Sequence, residues 1–565
     1  MGERKKVLII GMDGASPQLL FPWARAGELP AIAALIERGI HGTLLSTMPP
    51  ATYPAWSSFM TGTNPGKHGL FDFTARIPGT YAIEFVNSTH RRMPTLWKIL
   101  SDAGFRVGVL GMPSTYPPEH LNGYMISGFD SPVATGIEAS FVWPRDLYKD
   151  IRNEVGEYLI TDFQELKIGP GWHDTAIAGL EKTVRRKTDI ARYLMGREEV
   201  DLLCVLFGES DTVSHHFWSA HDPQSPRFVP ELAAKHRDAI LKVYRWIDEG
   251  IRSLMETVGG DPLVLIASDH GFGGSGDRVV YLNRWLEEKG YLRFRGRTGA
   301  VVRSLEEAKK RVLGTVPAKV QEQVFRRFGG RIANALESRL RFGNIDWRKT
   351  IAFSEELNYF PSIWVNAKGR EPGGIISRGD EYESLRDELI EELEKWRDEP
   401  TGERIVRKAW KREDLYWGEH VSEAPDIVLE MSLESGYSYN ILPSRSPEST
   451  SPVRRLRENE LVGSKGEGMN GSHRQEGIFV AAGPGVAPDE RRCTARIWDP
   501  MVTVLEYLGV EPPAGTDGEG LTVRREMSAM SEAPPGDRRL PDPAPLSAKE
   551  QDELAKRLRS LGYLD

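Results

Sequence analysis

Six side chains of the kinds that bind divalent cations stand beside apolar runs along the chain, and one hydroxyl stands with them. Asp13 follows Val7-Leu8-Ile9-Ile10 within Gly11-Met12-Asp13-Gly14. Asp211 and His215 follow the run 202–207 and lie four residues apart, so one helical turn puts both on one face. Asp269 and His270 follow the run 263–267, and His473 sits in Gly471-Ser472-His473-Arg474, just ahead of the run 478–482. Mixed carboxylate and imidazole donors suit Zn²⁺ best, with Mn²⁺ or Fe also accommodated. Thr52 lies in Pro49-Pro50-Ala51-Thr52-Tyr53-Pro54, ahead of a proline of the kind favoured in a first helical turn. A hydroxyl there faces free N–H groups and the positive end of the helix dipole, which suits an anion such as phosphate. Singly, an Asp-His pair after a strand is more often a helix cap beside a surface histidine. Polar clusters repeated at successive strand ends are harder to explain that way.

The elements that must position these groups are short apolar strands. Runs of β type recur at 7–10, 107–110, 202–207, 263–267, 426–430 and 478–482. Helical patterns lie between several of them, the clearest at 231–258, with Ile240, Val243, Tyr244, Ile247, Ile251, Leu254 and Val258 three or four apart. Strands alternating with helices predict an α/β fold, with a mostly parallel sheet covered on both faces. Asp and His at the mouths of separate parallel strands converge on one crevice.

The chain has 565 residues, enough for a large core, and its 27% charged and 40% apolar content is that of a globular protein. A net charge of -8 argues against a nucleic-acid polymer as partner. The segment 291–341 reverses that sign, with thirteen Lys and Arg against four Glu. It reads as part of a basic helical insert, or cap, over 291–345, with helices at 304–310 and 318–341. The catalytic domain is then 1–290 with 346–526. A linker at 527–546 and a C-terminal helix at 547–565 follow, the helix packing on the body or on a partner. Two cysteines, Cys204 and Cys493, make no disulfide framework, and no CxxC surrounds them. The apolar run after Lys6 ends within four residues, so neither a leader nor a membrane span is read, and a cytoplasmic setting is expected.

Taken together, the set resembles the alkaline phosphatase superfamily, and within it the type I phosphodiesterase/nucleotide pyrophosphatase branch. The motifs are Gly11-Met12-Asp13-Gly14, Thr52-Tyr53-Pro54, Thr61-Gly62 with His68-Gly69, Asp211-x-x-x-His215, Asp269-His270-Gly271 and His473. A late Asp499-x-x-x-Thr503 with Asp517-Gly518 extends the resemblance over most of 6–525. It implies an alkaline-phosphatase-like doubly wound sheet and two divalent metal ions. Asp211, His215 and His473 would hold one; Asp13, Asp269, His270 and the Thr52 hydroxyl would hold the other. It further implies that Thr52 attacks phosphorus, giving a phosphothreonine intermediate on a small phosphate-ester substrate.

Charge adds a hint about substrate. Two divalent cations, three aspartates and an ionised Thr52 sum to zero, which favours a monoanionic diester unless Arg474 or a lid residue adds charge. One departure from the branch concerns the oxyanion donor. The Asn that follows the His-Gly segment in nucleotide-cleaving members is missing from His68-Gly69-Leu70-Phe71-Asp72-Phe73. Asn87 or a backbone N–H near Thr52 could take its place. Phe73 and Trp56 could stack a base, with burial in the core the plainer use. His68 reads as a turn histidine and His216 as a neighbour pointing away from His215. A sulfatase is excluded because Thr52 replaces the required Cys or Ser. A phosphomonoesterase or mutase-like phosphotransferase, and a non-catalytic metal-stabilised binding module, are the alternatives.

Overall fold

A computed structural model describes residues 5–131, 139–160, 171–295, 338, 341–342, 344–444, 451–461, 469–488, 493–521, 550–551 and 554–555. The helices expected at 304–310 and nearly all of 318–341, most of the 291–345 insert, and the 527–546 linker lie outside them.

The apolar runs are strands of one nine-stranded sheet. In chain order they are β1 (Val7–Met12), β2 (Gly39–Leu45), β3 (Val107–Leu110), β4 (Gly123–Ile126), β5 (Val142–Trp143), β6 (Leu202–Phe207), β7 (Leu263–Ala267), β8 (Glu476–Ala482) and β9 (Cys493–Arg496). Across the sheet they run β9-β2-β8-β7-β1-β6-β3-β4-β5. The pairs β7-β1, β1-β6, β6-β3, β3-β4 and β2-β9 are parallel; β8 and β5 run against their neighbours.

Both faces are covered, which is why the inner strands β1, β3, β6 and β7 are apolar without alternation. Leu8 and Ile10 of β1 join one core cluster and Val7 and Ile9 the other. Five helices define the layers: α1 (Thr52–Thr61), α2 (Trp172–Arg197), α3 (Glu209–His221), α4 (Ala239–Val258) and α5 (Asp499–Leu508). α2 and α4 bury Leu180, Val184, Ile240, Val243 and Ile247 in the first cluster. α1 and α5 bury Trp56, Phe59, Met501 and Leu505 in the second. The fold is doubly wound α/β.

The single helix expected over 231–258 is two, Pro230–His236 and α4. The apolar spacing that drives α4 starts at Ile240, while the polar segment before it turns so that His236 packs on Phe217 of α3. The strand expected at 426–430 forms at Ile427–Met431, outside the main sheet. It pairs with Ser362–Val365 and Val406–Lys411 in a four-stranded antiparallel sheet that carries its own core, including Leu385, Leu389 and Leu393 of the helix Asp380–Lys395. A further strand, Gly271–Val280, leaves the tip of β7 and pairs antiparallel with Gly471–Arg474.

Of the C-terminal helix, Leu554 and Ala555 are fully buried in the main core, and Glu550 Oε1 accepts a hydrogen bond from Tyr116 Oη at 2.6 Å. That segment packs on the body. No single helix among the described residues is long and apolar enough to cross a membrane.

Candidate active site

Adjacency of β7, β1 and β6 brings the strand-end groups together. Asp13 follows β1, Asp211 lies in the first turn of α3 after β6, and Asp269 and His270 follow β7. The strand pairing sets Phe272 opposite His473, which carries His473 back over His270. All six side chains are buried. Among the described residues, two groups hold donor atoms within 4.8 Å of one another: Asp13, Asp269 and His270; and Asp211, His270 and His473. His215 adjoins the second group, its Nε2 3.1 Å from Asp211 Oδ1 and 3.1 Å from His473 Nε2.

The imidazoles are oriented from behind. His215 Nδ1 donates to Gly471 O at 3.1 Å, His270 Nδ1 to Gly271 O at 3.0 Å, and His473 Nδ1 to Pro50 O at 2.9 Å. A carbonyl only accepts, so each Nδ1 carries a proton and each Nε2 faces inward, its lone pair available to a cation when the ring is neutral. Two such lone pairs 3.1 Å apart repel unless a cation lies between them. This donor set fits divalent metal ions, and the backing of each ring by a carbonyl is the usual support for a ligand histidine.

The carboxylates are placed as firmly. Asp13 Oδ2 accepts from Trp56 Nε1 at 3.3 Å, and its carbonyl accepts from Ser210 Oγ at 2.6 Å. Asp269 Oδ1 accepts from Gly14 N at 3.2 Å. Gly14 has φ +64°, and a Cβ there would lie 3.2 Å from Asp211 Cα, so only glycine lets the β1 tip pass this close. Burial holds the Asp269 carboxyl well above the usual range, and the charges of Asp13 and Asp211 add to it. Burial lowers His473 to about 4, against the opposing pull of Asp211. A cation would favour the ionised Asp269 carboxylate and the neutral His473 ring alike. The α3 start is tied to α2 by a buried pair, Lys187 Nζ to Glu209 Oε1 at 3.1 Å.

Thr52 is the first residue of α1 and fully buried, with Oγ1 3.4 Å from His270 Nε2. Pro54 has no N–H, and the first helical bond is Ala55 N to Ala51 O, so the Thr52 and Tyr53 amides precede the helical ladder.

The structure engages the side chains of Asn87, Phe73 and Arg474 elsewhere than with the six clustered side chains. Asn87 caps the turn Ser88–His90, its Oδ1 accepting from Thr89 N at 2.9 Å. Phe73 is core, its ring centroid 4.2 Å from that of Tyr53. Arg474 alternates to the other face of its strand from His473 and donates to Gly274 O at 2.7 Å and His473 O at 3.0 Å. His68 is a buried turn residue, bonded to Ser58 Oγ at 3.0 Å. Asp499 and Thr503 clamp the C-terminal segment, accepting from Glu519 N and Leu521 N. Trp56 was legible as an Asp13 partner, since it follows Thr52 by one helical turn. Ser210, next to Asp211, had a weaker signal as a ligand-orienting group, and Tyr359, whose ring stacks on His473 with centroids 4.2 Å apart, had none.

Next to Thr52, Tyr53 neighbours the buried carboxyl of Asp130, which burial pushes up to about 7. A carboxyl whose pKa is raised on folding contributes most below its unfolded value and loses that contribution as pH rises through the folded one. Asp130 therefore erodes stability between about pH 4 and 7. By pH 8 the loss amounts to about 4 kcal/mol at 1.36 kcal/mol per pKa unit. Asp130→Asn is expected to raise the melting temperature at pH 8 and to leave it nearly unchanged at pH 4, by scanning calorimetry at both.

A doubly wound sheet whose strand mouths gather three carboxylates, three imidazoles and a helix-start hydroxyl defines a metal-site phosphohydrolase. The profile of the type I phosphodiesterase / nucleotide pyrophosphatase family matches residues 7–466, and the chain belongs to that family. It is a hydrolase of phosphoric ester bonds. Among solved structures it is similar to phosphonoacetate hydrolase from Sinorhizobium meliloti 1021 in complex with phosphonoacetate, at 17% identity over 90% of this chain and 96% of that one, TM-score 0.48. Human ectonucleotide pyrophosphatase / phosphodiesterase 5 matches at 12% identity over 92% and 97%, TM-score 0.47. Alkaline phosphatase PafA, as a mutant, matches at 13% over 92% and 99%, TM-score 0.49. No curated protein matches the chain.

Proposed function

We propose that this chain is a phosphodiesterase of nucleotide pyrophosphatase type, acting on a small phosphate ester with Thr52 as nucleophile at a two-cation site. The observation that carries the reading is the inward turn of three Nε2 lone pairs upon three carboxylates, with Thr52 Oγ1 3.4 Å from one of them. Asp211, His215 and His473 would hold one ion, and Asp13, Asp269, His270 and Thr52 the other. The nitrogen and oxygen donors favour Zn²⁺. Such ions lower the pKa of a coordinated hydroxyl and stabilise negative charge on a leaving oxygen.

Thr52 Oγ1 gives up its proton and bonds to phosphorus as the P–O bond to the leaving oxygen breaks and that oxygen takes up a proton. Water then attacks phosphorus, breaking the bond to Oγ1, which is reprotonated as the phosphate product departs. The Thr52 and Tyr53 amides, at the positive end of α1, would donate to the non-bridging oxygens in place of Asn87, which caps a turn instead. Arg474 spends its N–H donors on carbonyls, so its guanidinium is not aimed at the second negative charge of a monoester. The diester is therefore the better partner for a centre whose own charges cancel. Release of p-nitrophenol from bis-p-nitrophenyl phosphate is expected to exceed release from the monoester in kcat/KM by at least about tenfold, about 1.4 kcal/mol. Faster turnover of the monoester would overturn the diester preference and favour a phosphomonoesterase.

A further inference from the structure

The His473 imidazole is the middle ring of a stack of three. On one side lies His270, ring centroids 3.6 Å apart and planes 20° from parallel. On the other lies Tyr359, at 4.2 Å and 21°. Tyr359 also meets the edge of His215, at 5.7 Å and 61°. It comes from neither the main sheet nor any strand-end motif. It sits in the segment 354–361, which joins the first two strands of the small antiparallel sheet, Ala352–Phe353 and Ser362–Val365.

That segment is pinned along its length. Glu356 is held at φ +55°, a region that side chains rarely adopt. Its carboxylate accepts from Asn283 N at 2.9 Å and from Ser444 N at 2.6 Å. Asn358 Oδ1 accepts from Ile441 N at 2.7 Å. The Tyr359 hydroxyl donates to Met469 Sδ at 3.2 Å, in the same stretch of chain that carries His473. The Met469 carbonyl in turn accepts from the buried Arg227 guanidinium. Strained backbone persists only where its surroundings over-determine it, and here the product of those contacts is the placement of one ring.

We propose that Tyr359 is a positioning residue for the cation bound by Asp211, His215 and His473: its ring blocks rotation of the His473 imidazole away from the centre. The inference rests on the two-cation reading. His473 has one hydrogen bond behind it, to Pro50 O, which sets its tautomer and leaves rotation about that bond to be stopped by packing. Because Tyr359 arrives from the small sheet, that sheet is tied to how firmly one ion is held.

The test loads metal-free full-length protein with Zn²⁺ and reads stoichiometry and the two affinities by competition with a chromophoric chelator. Wild type is expected to bind two ions, and Tyr359→Phe, which keeps the ring, to match it. Tyr359→Ala is expected to weaken one ion by about tenfold and leave the other unchanged, the size of effect seen when a ligand histidine loses its support. Tyr359→Leu carries the same expectation should the alanine variant fail to fold. A loss of fold quality alone would weaken both ions together, which overturns the proposal, as do unchanged affinities in both the alanine and leucine variants. Wild type binding fewer than about one Zn²⁺ would overturn the two-cation reading itself, a result distinct from either.

Discussion

Thr52→Ala is expected to lower turnover of a phosphodiester by roughly 10⁴-fold or more while the protein still folds and still holds its cations. The size follows from the site. Thr52 is fully buried at the start of α1, and its Oγ1 is 3.4 Å from His270 Nε2. Removing the hydroxyl deletes the atom that would bond to phosphorus. It leaves Asp13, Asp269 and His270 in place, since Asp13 is held by Trp56 and Ser210 and His270 by the Gly271 carbonyl. The structural loss is a methyl and a hydroxyl from a packed helix end, on the order of 1 kcal/mol. Initial rates on bis-p-nitrophenyl phosphate, beside metal content and a melting curve, separate the two effects. Activity within about tenfold of wild type would remove Thr52 from the chemistry and leave attack by water, or by another side chain, as the better account.

Stripping the cations is expected to have the second largest effect. A chelator should reduce turnover to background and lower the melting temperature, and added Zn²⁺ should restore both. Each site filled at about 100 to 1,000 times its dissociation constant contributes roughly 3 to 4 kcal/mol to the folded state. The stripped centre would also lose the positive charge that offsets three buried carboxylates beside three inward imidazole nitrogens. His215→Ala should reproduce half of this, giving one ion per chain and a smaller fall in melting temperature. Metal analysis and calorimetry at one pH check both, and a stripped protein as active and as stable as the loaded one would contradict the reading.

Much of the architecture was legible because buried parallel strands write themselves as unbroken apolar runs. The runs at 107–110, 202–207 and 263–267 are the strands Val107–Leu110, Leu202–Phe207 and Leu263–Ala267. The direction of β8 was not legible, since Ile478–Ala482 is equally apolar whichever way it runs. Nor was the small sheet, whose strand Ile427–Met431 has the same composition as a central one. In the site, the spacing of Asp211 and His215 and the dipeptide Asp269-His270 named donors that the structure gathers into one centre. Arg474 was ambiguous in sequence because a strand residue beside a ligand faces the opposite way, and only the pairing with Gly271–Val280 decides which face is the centre. Tyr359 was invisible: an aromatic residue between two short strands carries no mark of the ring it will cover.

The place of β8 in the sheet has a consequence for how the molecule is made. β2 lies at 39–45, yet its two neighbours, β8 and β9, follow it only at 476–482 and 493–496. During vectorial synthesis the segment 39–45 therefore waits, its edge unpaired, while β7 keeps an open flank beside it. The late strand zips in between them as an interior slat, and the segment just before it delivers His473. Closure of the sheet and completion of the reaction centre are thus one event, so a nascent chain that has not finished folding has no working centre with which to act.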